Sequence, residues 1–205
     1  MPERALGDAM PEKGPPPAQP DAQDVPAGGS APAVPPAENG PTARALMRAA
    51  SAATLATVAE GGQPFASLVT PAIAADGAVL LWLSTLSEHT RQLTRDPRCA
   101  LLFLGEPDGP NPQTTPRVTV TGLAERIEDP ALKATWLARH PYAELYADFA
   151  DFGLWRIMPM GGQMVLGFAR AHRLRAADLR PAPGEAVPAA RPPATAPSPD
   201  PEGVP

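Results

Sequence analysis

The sequence predicts an α+β protein: a mostly antiparallel, six-stranded β-barrel with flanking helices and Pro/Ala-rich disordered tails. Prolines are concentrated at both ends, with 11 of the 30 in residues 1–41 and nine in residues 181–205. Between these tails, short strand-like runs are separated by tight turns, which favours antiparallel pairing over βαβ units. Such a sheet leaves exposed edges unless it closes on itself, so we expect a barrel.

Composition divides the chain into one foldable domain, residues 42–180, and two tails, residues 1–41 and 181–205. The tails are nearly free of large apolar residues and cannot offset the entropy of ordering, so we expect them to be disordered. The first tail carries a net charge of −4, the second −2 and the domain +1, which sum to the −5 of the whole chain. The domain has no run of basic residues, which argues against a nucleic-acid partner.

Cys99 is the only cysteine, so an internal disulfide is excluded and a cysteine-based metal site is not expected. It lies in a strand-like run, RCALLFLG, and we expect it to be a small buried residue. The N-terminus lacks the apolar stretch of a signal peptide, and no run approaches the roughly 20 apolar residues of a membrane span. These features predict a cytoplasmic protein with no membrane partner.

The first part of the domain predicts one helix and three strands. The helix covers residues 42–50, with Thr42 as its cap. The strands are joined by the turns EGGQ and ADG as an antiparallel meander, and they cover 52–59, 64–74 and 78–84. Pro71 indicates an edge or a bulge in the second strand, and the third is apolar on both faces and therefore central.

The second part of the domain predicts three helices and three further strands. Asp129 and Pro130 begin the second of these helices as cap and first residue, and Tyr142, Leu145, Tyr146 and Phe149 form the stripe of the third. We expect a bulge at Gly122 and a turn at Gly161–Gly162. The helices cover 87–96, 129–140 and 142–152, and the strands cover 98–105, 117–128 and the two sides of the glycine turn in 154–174.

Polar side chains crowd the junction between the third strand and the next helix, in LSTLSEHTRQ. A helix N-terminus presents unpaired N–H groups and the positive end of a dipole, which together favour phosphate. Short hydroxyls and two basic side chains add donors there: Ser84, Thr85, Ser87, Thr90, His89 and Arg91. The site therefore predicts a phosphate-bearing cofactor, although a hydroxyl that merely caps the helix, with His89 and Arg91 solvated, explains the same pattern.

Five segments in order carry a family resemblance that covers about residues 44–178. They are LATV with GGQPFASLV, DGAVLLWLSTLSEHTRQLTRDPRCALLF, RVTVTGLAERI, HPYAELYADFADFGLWRI and LGFARAHRL. The domain resembles the pyridoxamine 5'-phosphate oxidase-like split barrels that bind FMN, and among them most closely the haem-utilisation (HugZ-type) branch. The resemblance implies a split barrel that forms a homodimer, with the flavin between the two barrels.

The resemblance also assigns candidate cofactor-binding residues. It implies that strand two lines the flavin with Ser67, Leu68 and Val69, and that Ser84, Thr85 and Leu86 meet the ring or the ribityl chain. His89, Thr90 and Arg91 would hold the phosphate, and Arg117 would lie near the flavin ring.

Two departures from the oxidase proper bear on activity. Ser67 and Ala72 stand where the oxidase has an arginine and a lysine that clamp phosphate, and His89 replaces a lysine. Charged hydrogen bonds contribute about 1.5–3 kcal/mol each, so we expect weaker flavin binding. The lost clamp argues against true pyridoxamine-phosphate oxidase activity.

The leading hypothesis is an FMN-dependent oxidoreductase acting on a small-molecule substrate. The alternative is a haem-binding or haem-degrading protein in which His172 ligates the iron, although His172 can equally be a half-exposed strand residue beside three arginines. His140, which precedes Pro141, is expected to interact with the C-terminal carbonyls of its helix. A second alternative is a dimeric binding module without catalysis, and FMN, a deazaflavin and haem remain the candidate ligands.

Overall fold

A computed structural model describes residues 38–107, 109–168 and 170–181, so nearly all of both predicted tails lies outside the described residues. The described residues belong to one compact unit. Its strands are β1 (Ala53–Val58), β2 (Pro64–Val69), β3 (Ala72–Ile73), β4 (Val79–Ser84), β5 (Arg98–Leu104), β6 (Arg117–Ile127), β7 (Phe152–Val165) and β8 (Ala171–Arg175). Its α-helices are α1 (Asn39–Ala49), α2 (Glu88–Arg95), α3 (Pro130–Arg139) and α4 (Ala176–Leu179).

The strands form one curled, antiparallel sheet in the order β2-β1-β5-β6-β7-β4-β3, with β8 paired to β7. The predicted α+β class and antiparallel barrel are confirmed as a split barrel, in which β2 and β3 end the strand order. The predicted number of strands, six, is wrong, because the described part of the sheet has eight.

Pro71 explains one of the two additional strands. It cannot donate a ladder hydrogen bond, and the run predicted as a single strand over 64–74 breaks at this point. β2 then pairs with β1, whereas β3 pairs with β4 at the other end of the order. The predicted meander is therefore wrong at its middle connection, since β4 pairs with β7 rather than with β2.

Gly161 and Gly162 do not form the predicted turn. They lie inside β7, where a Cβ added at Gly162 would stand 2.1 Å from the carbonyl oxygen of Thr119 on β6. Gly162 is thus required for close strand approach, and the reversal into β8 occurs at Gly167, with φ of 121°. The predicted bulge at Gly122 is confirmed by a register shift between β6 and β7.

Two helix predictions are also wrong in part. α1 begins at Asn39 after Glu38, so Thr42 lies inside the helix and does not cap it. The predicted helix over 142–152 is instead a short 3₁₀ turn, Pro141–Leu145, followed by further turns. Only part of the predicted stripe meets a core: Tyr146 packs against a buried cluster, whereas Leu145 is 86% and Phe149 58% exposed. The start of α3 is as predicted, since the carboxylate of Asp129 accepts from two backbone N–H groups.

Hydrophobic alternation places the core on the inner face of the curl. β1 alternates strictly between buried and partly exposed residues, with Leu55 fully buried. Cys99 joins this core as predicted, and burial raises the pKa of its thiol to about 12. A second cluster packs β3 and β4 against the fully buried Trp136 of α3.

The two ends of the described domain pack together. The guanidinium of Arg44 on α1 donates to the carbonyl oxygen of Asp178 on α4 at 2.6 Å. A Cβ at Gly40 would stand 2.7 Å from the same oxygen, so glycine permits this close approach. Helices α1 and α4 are in direct contact as a result.

Candidate cofactor site

The start of α2 presents free backbone donors. Ser87 occupies the N-cap position but makes no side-chain capping bond. The first backbone bond of the helix runs from the N–H of Arg91 to Ser87 O at 3.3 Å. Within the described chain, no acceptor meets the N–H groups of Glu88, His89 and Thr90. These donors, at the positive end of the helix dipole, suit an anion.

Asp151 holds the junction between β4 and α2. The hydroxyl of Ser84 donates to Asp151 Oδ2 at 2.5 Å and accepts from the N–H of Leu86 at 3.1 Å. The N–H of Thr85 donates to Asp151 O at 2.7 Å. Ser84 therefore shapes the junction and is already engaged, whereas Thr85 and Leu86 are exposed. Sequence reasoning missed Asp151, because 67 residues separate it from Ser84.

Two buried hydroxyls lack partners. Thr90, in the first turn of α2, is 3% exposed, and its Oγ1 has no hydrogen-bond partner in the described structure. The same holds for Oγ of Ser67, which pairs across the sheet with the inward-facing Leu55. Helix α2 packs against β1 and β2, the strands that carry Leu55 and Ser67. Buried hydroxyls are normally satisfied, so these two fit a missing polar ligand.

The basic side chains at the junction are less available than the sequence suggests. Arg91 forms an ion pair with Glu88 at 2.8 Å, and both side chains are more than half exposed. This hydrogen bond lowers the pKa of Glu88, so the carboxylate remains charged and competes with any anion for Arg91. His89 is partly buried, and burial lowers its pKa, so the imidazole is neutral at pH 7.

The other predicted cofactor residues are distributed over the sheet. Val69 is 5% exposed and belongs to the core, whereas Leu68 is 75% exposed on the outer face. Arg117 begins β6 and donates to the carbonyl oxygens of Gln113 at 2.8 Å and Thr115 at 3.1 Å. The predicted residues thus lie on three different elements: Ser67 on β2, the junction residues at the start of α2, and Arg117 on β6.

His172, the predicted haem ligand, lies on β8 opposite Met164, which is fully buried, so its ring faces the inner side of the sheet. Its Nε2 is buried and has no partner among the described residues, as is also true of Ser67 Oγ and Thr90 Oγ1. A ligand could reach any of these three atoms only if the surrounding chain moved.

The role predicted for the His140 side chain is wrong. Its Nε2 lies 3.0 Å from the carbonyl oxygen of Pro71, in the break between β2 and β3, rather than at the end of its own helix. Trp136 reaches the same break, donating from Nε1 to Thr70 O at 2.9 Å. Burial lowers the pKa of His140, which is 2% exposed, so the neutral ring serves as a structural donor.

Arg139 is a second residue whose role the sequence did not indicate. It is 5% exposed and donates to the carbonyl oxygens of Ala49 and Ala50, at 2.9 and 3.3 Å. These carbonyls lie at the C-terminal end of α1, where a cation is favourable. Some 90 residues separate the partners, and no local pattern marks such a pair.

The described residues contain neither a membrane-spanning helix nor a metal-binding cluster. No helix there is long and apolar enough to cross a membrane. No cluster of three or more His, Cys, Asp or Glu side chains there is arranged to hold a metal ion.

A curled antiparallel sheet with a helix inserted after β4 defines the class of α+β split barrels. The family model described as pyridoxamine 5'-phosphate oxidase matches residues 40–166. The chain therefore belongs to the pyridoxamine 5'-phosphate oxidase family, and the resemblance seen in the sequence is confirmed.

Several relatives are haem proteins by name. A non-canonical heme oxygenase, HOZ, from Arabidopsis thaliana chloroplasts is 36% identical over 113 residues, 54% of this chain and 34% of that protein. A heme-binding protein from Mycobacterium smegmatis superposes with a TM-score of 0.64 at 30% identity, covering 69% of this chain and 59% of that one. The chain thus spans about a third of the curated relative and less than two thirds of the mycobacterial protein.

HutZ from Vibrio cholerae, described as a heme storage protein, shares the fold. Its TM-score is 0.52 at 20% identity, over 58% of this chain and 88% of that one. The fold that the sequence resembles is thus found in this haem storage protein.

Proposed function

We propose that the protein binds FMN at the junction of β4 and α2 and acts as a flavin-dependent oxidoreductase on a small-molecule substrate. The observation that carries this proposal is the uncapped start of α2 with the buried, unpartnered hydroxyl of Thr90 in its first turn. A phosphate offers several acceptor oxygens to such donors.

The residues of the chain would bind and orient the cofactor, while FMN, when bound, would supply the electron transfer. The N–H groups of the first turn of α2 and the hydroxyl of Thr90 would hold the phosphate. Arg91 would leave Glu88 to join them, an exchange that costs little because exposed ion pairs contribute about 0–1 kcal/mol. Ser84, held by Asp151, would fix the junction rather than contact the phosphate.

The outer face of the sheet supports a homodimer as the working form. We define this face by the exposed side of β1, β2 and β5, where Leu68 is 75% and Leu104 53% exposed. A groove of about 480 Å³ lined mainly by Leu and Ala residues lies between this face and the end of α1. A second copy of the chain would cover these apolar side chains.

An FMN titration of the purified full chain tests the proposal, followed by gel filtration and an absorption spectrum. We expect retained FMN with a flavin spectrum, and about 10- to 100-fold weaker binding in His89→Ala and Arg91→Ala. Arg98→Ala is the matched control, because Arg98 is exposed and bound to Asp96 away from the junction. Unchanged affinity in both variants would refute the phosphate assignment.

Haem binding is the second candidate, favoured by the names of two relatives that are at least 30% identical. Titration of the same preparation with haem distinguishes the two ligands. A Soret band that persists through gel filtration without retained FMN would select haem. Since Nε2 of His172 is buried, we expect His172→Ala to leave that band unchanged; an altered band would assign His172 to the iron.

A further inference from the structure

The carboxylate of Glu88, the first residue of α2, is hydrogen-bonded through both of its oxygens. Oε2 accepts from Nε and Nη2 of Arg91 at 3.2 and 2.8 Å. Oε1 accepts from Nε2 of Gln92 at 3.1 Å. Arg91 and Gln92 lie three and four residues further along the helix, so both reach Glu88 along the same side of α2. The carboxylate is therefore tied to its own helix at two points.

Gln92 gives the Glu88 carboxylate a buried anchor. Gln92 is 1% exposed, and its Oε1 accepts from the hydroxyl of Thr57 on β1 at 2.5 Å. Thr57 is itself 3% exposed. In the last turn of α2, Arg95 donates to the carbonyl oxygen of Val58 at 2.9 Å, which is a second contact with β1. Breaking a buried, bonded amide leaves polar groups unsatisfied, so Gln92 holds Oε1 of Glu88 whatever happens at the other oxygen.

The carboxylate of Glu88 opposes an anion at the start of α2 in two ways. Hydrogen bonds from Arg91 and Gln92 lower the pKa of Glu88 below its ordinary value of 4.5, so the group is negative at neutral pH. It lies in the same helical turn as the N–H groups that would receive a phosphate, and like charges repel over roughly 10 Å at ordinary salt. It also pairs with Arg91, which must exchange partners before it can reach a phosphate.

FMN and riboflavin have the same ring and ribityl chain, and only FMN carries a phosphate. We propose that Glu88, anchored by Gln92, is a specificity-determining residue that limits the preference of the site for FMN over riboflavin. The inference rests on the proposed function, in which the start of α2 receives the phosphate. Riboflavin, which has no charge for Glu88 to repel, is then a ligand of the same site.

Titrations of the full chain with FMN and with riboflavin, followed by flavin fluorescence, test the proposal. The preference is the ratio of the two dissociation constants. We expect the parent to bind both flavins, and Glu88→Gln to bind FMN about three- to tenfold more tightly with riboflavin affinity unchanged. Glutamine keeps the shape of the side chain and an acceptor oxygen but removes the charge. A merely structural effect of the substitution would change both affinities together.

Two further variants examine the anchor and the charge. Thr57→Val releases Gln92 without a change of charge, so the preference for FMN should rise by a smaller factor than in Glu88→Gln. Glu60→Gln is the matched control, because it removes an equal charge from an exposed residue that follows β1, near the end of α2 that Arg95 binds to this strand. That variant should keep the preference of the parent. An unchanged preference in Thr57→Val, or an equal rise in Glu60→Gln, would overturn the proposal.

The same titrations separate a failure of this inference from a failure of the proposed function. FMN binding with an unchanged preference in Glu88→Gln would overturn the inference and leave the proposed function standing. FMN binding by a parent that does not bind riboflavin would do the same. Absence of FMN binding in both the parent and Glu88→Gln would overturn the proposed function and this inference with it.

Discussion

Replacement of Thr90 by valine should change stability and cofactor affinity in opposite directions. Valine is close to threonine in shape and helix propensity, so the substitution removes little except the hydroxyl. That hydroxyl is buried, in a residue 3% exposed, and has no described partner. Without a ligand, the protein loses nothing when the group is removed.

The expected magnitudes follow from the cost of an unsatisfied group. A buried polar group without a partner costs about 1–3 kcal/mol, so Thr90→Val should stabilise the ligand-free protein by up to that amount. With a urea m-value of about 2 kcal/mol/M, the unfolding midpoint should rise by about 0.5–1.5 M. If the hydroxyl donates to the FMN phosphate, its loss should weaken binding by about 10- to 100-fold.

Urea unfolding of the ligand-free protein and an FMN titration measure the two effects on the same preparation. Thr94→Val is the control, because Thr94 lies on the same helix but donates to Thr90 O at 2.9 Å. That variant should lose a little stability and keep its FMN affinity. A destabilised Thr90→Val protein with unchanged FMN affinity would show that the hydroxyl has a structural partner, and would refute the reasoning.

Three further predictions concern assembly, packing and pH. Leu68→Glu should convert the proposed dimer to a folded monomer, as measured by analytical ultracentrifugation. Leu145→Glu, at a residue 86% exposed and outside the outer face, should keep the oligomeric state of the parent. A dimeric Leu68→Glu protein would place the interface elsewhere. Gly162→Ala should destabilise the protein by about 3 kcal/mol in urea unfolding, because its added Cβ would stand 2.1 Å from a carbonyl oxygen. Gly161→Ala should destabilise it less, because there the distance is 3.3 Å. Equal losses of stability would contradict the close approach of the strands at Gly162. Burial holds the pKa of His140 below its ordinary 6.5, so the unfolded chain takes up a proton at a higher pH than the folded protein does. The urea midpoint of unfolding should therefore fall as the pH decreases below about 6.5. A higher midpoint at pH 5 than at pH 8 would contradict this prediction.

Elements that are determined by residues close together in the sequence could be predicted from local patterns. Alternation marked β1 and the buried Cys99, and Asp129 with Pro130 marked the start of α3. The crowded junction after β4 likewise indicated a helix start with unused donors. These features depend on neighbours within a few residues, which a single sequence contains.

Features that depend on distant partners could not be predicted in the same way. From the sequence alone, a glycine pair predicts a turn. Only the folded chain shows that Thr119 lies against Gly162. The stripe over 142–152 has helical spacing, yet no core was available to cover Leu145. In the candidate site, the free hydroxyl of Thr90 and the engagement of Ser84 by Asp151 became visible only when the chain was folded.

The contact between α1 and α4 makes the domain a candidate for circular permutation. The described chain begins at Glu38 and ends at Pro181, and Gly40 and Asp178 are in direct contact. A short flexible linker could therefore join the two ends, while new termini opened in the exposed loop between β5 and β6. In such a permutant, the new termini would lie at the Arg117 end of β6, whereas α2 follows β4 at the end of the sheet where Ile127 pairs with Leu154 and Leu154 with Trp82.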